Sequence, residues 1–242
     1  MTDEYRVNVS VNPLVFFEAD EAWSGLLGTR ITTDAIAKYA CSPDVSAETD
    51  EIIRRYGQIT SKSPNIVAAP SDRKILQKLV WPLRHAKAAY MFGNYLSTIA
   101  MCGLVAEMVS ILLFEISDPK INNRRMGIKE QNALFGSSFE NLGQQRRVDV
   151  LFAYRVIDEA TKSQFDMVRT KRKRYLHLWS EEHEQLANDA VGVYDATVRL
   201  VVKVIGQDIR DGKLLLNPAL VTYLRRAGVL QARETQDTQD QT

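Results

Sequence analysis

The chain is poor in the residues that build secreted scaffolds and metal centres, with two cysteines and three histidines in 242 residues. Cys41 and Cys102 are too few for a disulfide framework, and Cys102 sits in an apolar stretch suited to a small buried thiol. A reducing cytoplasm is the expected compartment. His85, His177 and His183 are scattered, with no Cys pair, His-Glu-x-x-His or Asp-rich loop, so neither a metal nor a cofactor is expected. Gly-rich phosphate loops and serine-nucleophile elbows are also absent, which excludes the chemistry they support. No fixed-period repeat is present, which argues against a solenoid. The formal net charge of +1 gives no global field for nucleic acid, so any such attraction must be local. The start, Met1-Thr2-Asp3-Glu4-Tyr5, is acidic and has no apolar core after a basic region, so no secretory signal is expected.

One long hydrophobic run is present. From Ala88 to Phe114, 27 residues, the only charged side chain is Glu107, and a run of that length can cross a bilayer. Asn94, Ser97, Thr98 and Ser110 interrupt it, and a carboxylate within the span would cost about 2.5–3.5 kcal/mol on insertion scales. The chain has no second run of this kind. The expectation is therefore a helix enclosed by other helices at the centre of a bundle, with no membrane partner.

Val7, Val9 and Val11 alternate with Arg6, Asn8 and Ser10, which predicts a short strand in an extended arm or small hairpin. Residues 31–58 read as helix in two pieces divided at Ser42-Pro43-Asp44, with Ser46 or Thr49 capping the second. The Ser-, Pro- and Ala-rich stretch 59–70 reads as a linker. Ser71 then suits a helix cap before Asp72, with Ile75, Leu76 and Leu79 on one face, and Pro82 interrupts or restarts that helix. The long apolar helix follows to Ile116 and ends at Ser117-Asp118-Pro119, while Gly93 and Gly103 allow a bend or a neighbour's close approach.

A polar connection through Asn122, Asn123 and Arg125 leads to a helix from about Phe139, with Leu142, Val148, Val150, Leu151 and Tyr154 toward the core. Another helix begins near Thr161 and enters a basic cluster. Ser180 with Glu181, Glu182 and His183 reads as the cap and first turn of the next, striped by Leu186, Ala190, Val193 or Tyr194, Val198, Val201 and Ile205. Gly212 and Asn217-Pro218 punctuate its end, and a short helix is expected at 218–226. The fold class is all-α: a mixed or irregular N-terminal extension over 1–70, a helical bundle over 71–206, a C-terminal helical segment over 207–230 and a disordered polar tail over 231–242.

Five of the six residues from Arg169 to Arg174 are cationic, and the run continues into Tyr175, Leu176 and His177. This combines a titratable imidazole with guanidinium and ammonium groups able to hold a phosphate. RNA carries its own nucleophile, the 2′-hydroxyl, so an imidazole that moves its proton and a guanidinium that stabilises the phosphorane suffice for cleavage. His177 is then the base or acid, Arg172 the electrostatic clamp, and Arg169, Lys171, Lys173 and Arg174 the cations that position the strand. Glu107 reads as a buried partner for an Arg or Lys, or as a residue supporting the site. Tyr175 and Trp179 either stack on bases or form the core's edge. Residues five apart on an ideal helix point about 140° from each other, so Arg172 and His177 cannot share one face. Either the helix ends between them or a second copy completes the site. The structural reading stands beside this one: a basic helical run is usually a solvated face, His177 suits a helix C-terminus, and His85 and His183 read as surface residues.

Arg172-x4-His177 in a basic helix, together with the segment from Tyr90 to Glu107 and the helix pair from Phe139 to Arg169, resembles the HEPN (higher eukaryotes and prokaryotes nucleotide-binding) superfamily over roughly residues 72–206. The resemblance implies a helical bundle with an Arg-x4–6-His motif. It also implies metal-independent endoribonuclease activity in dimers that juxtapose two motifs, a role in stress or defence, and RNA and a protein partner or antitoxin as partners. Lys173 and Leu178 depart from the Asn after the Arg and the small residue after the His common in the family, which bears on catalysis more than on fold. The resemblance equally implies inactive members that bind nucleic acid or nucleotide, or serve as interaction modules.

Overall fold

Apolar residues at helical spacing dominate the chain, and a computed structural model, describing residues 9–11, 49–62, 66, 68–177, 183–210 and 213–229, is mostly helical. The first of the two expected N-terminal helices, Cys41, Ser42-Pro43-Asp44, Ser46, Leu178, Trp179, the Ser180 cap, Gly212 and the tail 231–242 lie outside the described residues.

β1 (Val9–Val11) pairs antiparallel with β2 (Ala68–Pro70), Val9 opposite Pro70 and Val11 opposite Ala68. The strand is where the alternation predicts it, but its partner lies in the stretch that reads as a linker. Pairing is a tertiary choice that local composition does not reveal. Ile59, Ile66 and Ala69 are fully buried within the same apolar cluster as the bundle core. α1 (Thr49–Ser61) carries regular structure into the start of that stretch.

Asp72 rather than Ser71 caps the next helix, its Oδ1 accepting from the Ile75 N–H at 2.9 Å. α2 (Arg73–Ile75) passes through a π-turn (Leu76–Val80) into α3 (Trp81–Met91) with right-handed backbone at Ile75, Leu76 and Trp81. Pro82 has no N–H to donate and its ring crowds the carbonyl four residues back. A widened turn just before it relieves that conflict without ending the helix.

The apolar run expected as one helix is two. Gly93 adopts φ 78°, and Asn94 caps α4 (Tyr95–Ser117) by accepting from the Ser97 N–H at 3.1 Å. The Tyr90 and Tyr95 rings pack 5.1 Å apart across the turn, and Thr98 Oγ1 donates to the Ala86 carbonyl at 3.1 Å. Hydropathy hides this reversal because both helices bury side chains on either side of it. Asp118, at φ 47°, ends α4 at the expected Ser-Asp-Pro.

Asn122 and Asn123, both at positive φ, form the two-residue turn of a hairpin, β3 (Lys120–Ile121) with β4 (Arg124–Arg125). α5 (Ile128–Phe135) follows, a helix the periodicity does not predict because Ile128 and Leu134 are exposed and Phe135 alone is buried. Phe114 and Phe139 stack at 3.9 Å with Phe135 edge-on to both, a cluster that ties this region to α4. The helix expected from Phe139 starts only at Gln144: a 3-10 turn (Phe139–Asn141) comes first, then extended backbone at Leu142 and Gly143, then α6 (Gln144–Ala153). Arg147, Val148 and Leu151 form its buried face, whereas Tyr154, expected in the core, is 50% exposed.

α7 (Glu159–His177) and α8 (Leu186–Ile205) form an antiparallel pair, pinned near one end by Lys171 to Asp189 at 2.8 Å and near the other by Lys203 to Asp158 at 2.7 Å. The stripe from Ala190 to Ile205 is buried as predicted, but His183 precedes α8 instead of lying in its first turn. β5 (Asp208–Arg210) and β6 (Lys213–Leu215) form an unpredicted hairpin before α9 (Pro218–Arg226), which Asn217 caps. By length and composition α4 could cross a membrane. In the fold it is the central helix, packed by α3, α6, α7, α8 and α9.

Gly206 closes α8 at φ 76°, and a Cβ there would lie 2.5 Å from Asn217 N and 3.0 Å from Leu216 C, both backbone atoms. Gly206→Ala combines a conformation reserved for glycine with a backbone collision, and it should destabilise the chain by about 2–3 kcal/mol. Urea unfolding of the variant checks this.

Candidate functional site

Thr161, Phe165, Val168 and Tyr175 are buried along one side of α7. Arg172 lies four residues after Val168 and three before Tyr175, on that same stripe. A cation facing a core needs a carboxylate, and Glu107 on α4 supplies it: Arg172 Nη1 donates to Glu107 Oε1. The Arg172 stem reaches this position across Gly103, one turn earlier on α4, where any Cβ would collide with Arg172 Cδ. Glu107 Oε2 in turn lies 3.8 Å from Nη2 of Arg147 on α6. Arg147 is 5% exposed, and its Nη1 donates to the Glu140 carbonyl at 3.2 Å. Burial pulls the Arg147 guanidinium below its usual range, against the opposing charges of Glu107 and Glu140. Glu107 is thus shared between arginines from two helices, an ion-pair partner as in the first of the two roles the sequence leaves open for it.

Arg172 is not sealed by this pairing. Its side chain is 31% exposed. The Nε is buried and makes no hydrogen bond.

α7 runs unbroken from Arg172 to His177, so the helix does not end between them. His177 is the exposed last residue of α7, about 140° around the axis from Arg172. Within one chain the two residues project from different sides of the helix. The unbroken helix removes the first of the two routes the sequence allows.

Two of the four neighbouring cations lie against carboxylates. Arg169 is 3.5 Å from Asp166, Lys171 is 2.8 Å from Asp189, and Lys173 is exposed. The Arg174 guanidinium lies 5.6 Å from the Tyr175 ring centre. Tyr175 is buried, its hydroxyl donates to Asp189 at 2.6 Å, and its ring meets His183 edge-on at 5.4 Å. It is a core-edge residue and offers no open face for a base. His85 is exposed on α3, and the buried Cys102 thiol is pushed up to about 12 by burial. Among the described residues no group of three or more His, Cys, Asp or Glu is placed to hold a metal ion.

Burial alone would raise the Asp189 carboxyl, but hydrogen bonds from Lys171 and Tyr175 outweigh it and hold the group below the usual carboxylate range. A carboxyl depressed on folding contributes stability above its unfolded pKa of about 3.9, and loses that contribution as pH falls through the folded value. The wild-type chain should therefore lose stability below about pH 4 more steeply than Asp189→Asn, which lacks this titration. Chemical unfolding at stepped pH measures the difference.

Two parts of the arrangement escape the sequence reading. Arg147 is not singled out, although it sits four residues before Leu151 on the core-facing side of α6, and that spacing was its signal. Asp189, which ties α8 to Lys171 and Tyr175, carries no local signature. Compared with known proteins, the chain matches no family model, no curated protein and no solved structure.

Proposed function

We propose that two copies of this chain form a HEPN-like, metal-independent endoribonuclease in the cytoplasm, acting in stress or defence. Each site joins Arg172 of one copy to His177 of the other. The observation that carries the reading is the Arg172 guanidinium, oriented by Glu107 across Gly103 on a side chain still 31% exposed, on the same helix end as an exposed imidazole. A preoriented guanidinium stabilises charge growing on a phosphorane without reorganising during the reaction. His177 takes the 2′-hydroxyl proton, the 2′-oxygen attacks phosphorus, and the 5′-oxygen leaves and gains a proton, giving a cyclic phosphate end. Lys173 and Arg174 position the strand together with Arg169 and Lys171, whose charges Asp166 and Asp189 partly offset. Incubating the purified chain with RNA in EDTA tests this reading, and RNA that stays intact rejects it.

A second reading has its own support. Arg169, Lys171 and Arg172 are each paired with a carboxylate, and Arg172 diverges from His177 within the chain. This favours a non-catalytic module that binds RNA or nucleotide or holds a protein partner. Salt-dependent RNA binding without turnover selects it.

A further inference from the structure

We infer that Arg147 is a positioning residue which, by sharing the Glu107 carboxylate, keeps Arg172 available to an incoming phosphate. Its consequence for RNA rests on the proposed ribonuclease reading; its effect on Arg172 does not. The cluster holds two guanidiniums and one carboxylate, drawn from α4, α6 and α7. A carboxylate that meets cations on both oxygens holds each less tightly than one that can close both oxygens on a single guanidinium. Arg147 cannot turn elsewhere, because it is 5% exposed, its Nη1 is committed to the Glu140 carbonyl, and its Nε has no hydrogen-bond partner. It therefore stays on Glu107 whatever Arg172 does. When a phosphate draws Arg172 away, Glu107 remains neutralised by Arg147, so the exchange leaves no isolated carboxylate at the helix interface. Without Arg147, Arg172 would be the only cation of this cluster, and a phosphate would have to break a full bidentate pair.

Arginine-selective dicarbonyl labelling of the folded full-length chain, read at Arg172 by peptide mass spectrometry, tests the inference with no RNA present. Arg147→Met should label Arg172 about threefold more slowly than wild type, the scale of one added half-exposed ion-pair contact. Glu107→Gln should label it faster. Opposite directions are diagnostic, since simple loosening of the bundle would speed both. Arg147→Lys keeps a cation but shortens its reach, so it should slow labelling by a smaller factor, and it decides the question if Arg147→Met does not fold. Labelling of Arg172 that is unchanged or faster in the folded Arg147 variants overturns the inference. With RNA, Arg147→Met should raise KM more than it lowers kcat. Wild-type chain that leaves RNA unbound and uncut sinks the ribonuclease reading, while the labelling rates still decide the role of Arg147.

Discussion

His177→Ala is expected to reduce RNA cleavage by about 100- to 10,000-fold, the usual contribution of a positioned proton-transfer group. The fold should not change, because His177 is the last residue of α7, is exposed, and lies off the stripe formed by Phe165, Val168, Arg172 and Tyr175. Loss of activity with unaltered thermal unfolding separates a chemical role from a structural one. If His177 merely complements the negative end of α7, the substitution would instead lower stability by a few tenths of a kcal/mol up to about 1 and leave cleavage untouched. Both measurements can be made on the same sample in EDTA.

Glu107→Ala should destabilise the chain by about 3 kcal/mol, toward the lower end for breaking a buried ion pair because the Glu107 side chain is 27% exposed. The cost arises mainly at Arg147. Arg172 is partly exposed to water, but Arg147 is enclosed at 5% exposure and would keep only the Glu140 carbonyl and the weaker pull of the Glu140 charge. Glu107→Gln retains an acceptor oxygen and should recover part of the loss. Urea titration of the two variants checks the order, and equal stability of wild type and Glu107→Ala would show that the buried guanidinium does not depend on this carboxylate.

Much of the helical order could be read from local chemistry. Ser117-Asp118-Pro119 ends α4, Asn217-Pro218 opens α9, and the α8 stripe is buried as its spacing predicts, because caps, proline and amphipathic period act within a few residues. The features that escaped depend on distant parts of the chain. Gly93 marks where the apolar helix can bend, but the continuous hydropathy on either side hides that it divides there into two helices. β2 looks like linker until β1, nearly sixty residues away, pairs with it. α5 is passed over because its exposed Ile128 and Leu134 blur the period. At the candidate site, the need of Glu107 for a cation follows from its apolar surroundings. That it serves two arginines follows only from the way α4, α6 and α7 pack. The angle between Arg172 and His177 was fixed by their spacing once the helix proved unbroken.

The most direct test of a site built from two copies is to refold Arg172→Ala and His177→Ala chains together, each inactive alone, and to assay RNA cleavage in EDTA. If each site takes Arg172 from one copy and His177 from the other, half of the pairs formed are mixed and each has one intact site, so activity should return to roughly a quarter of wild type. A mixture as inactive as its components would contradict the account.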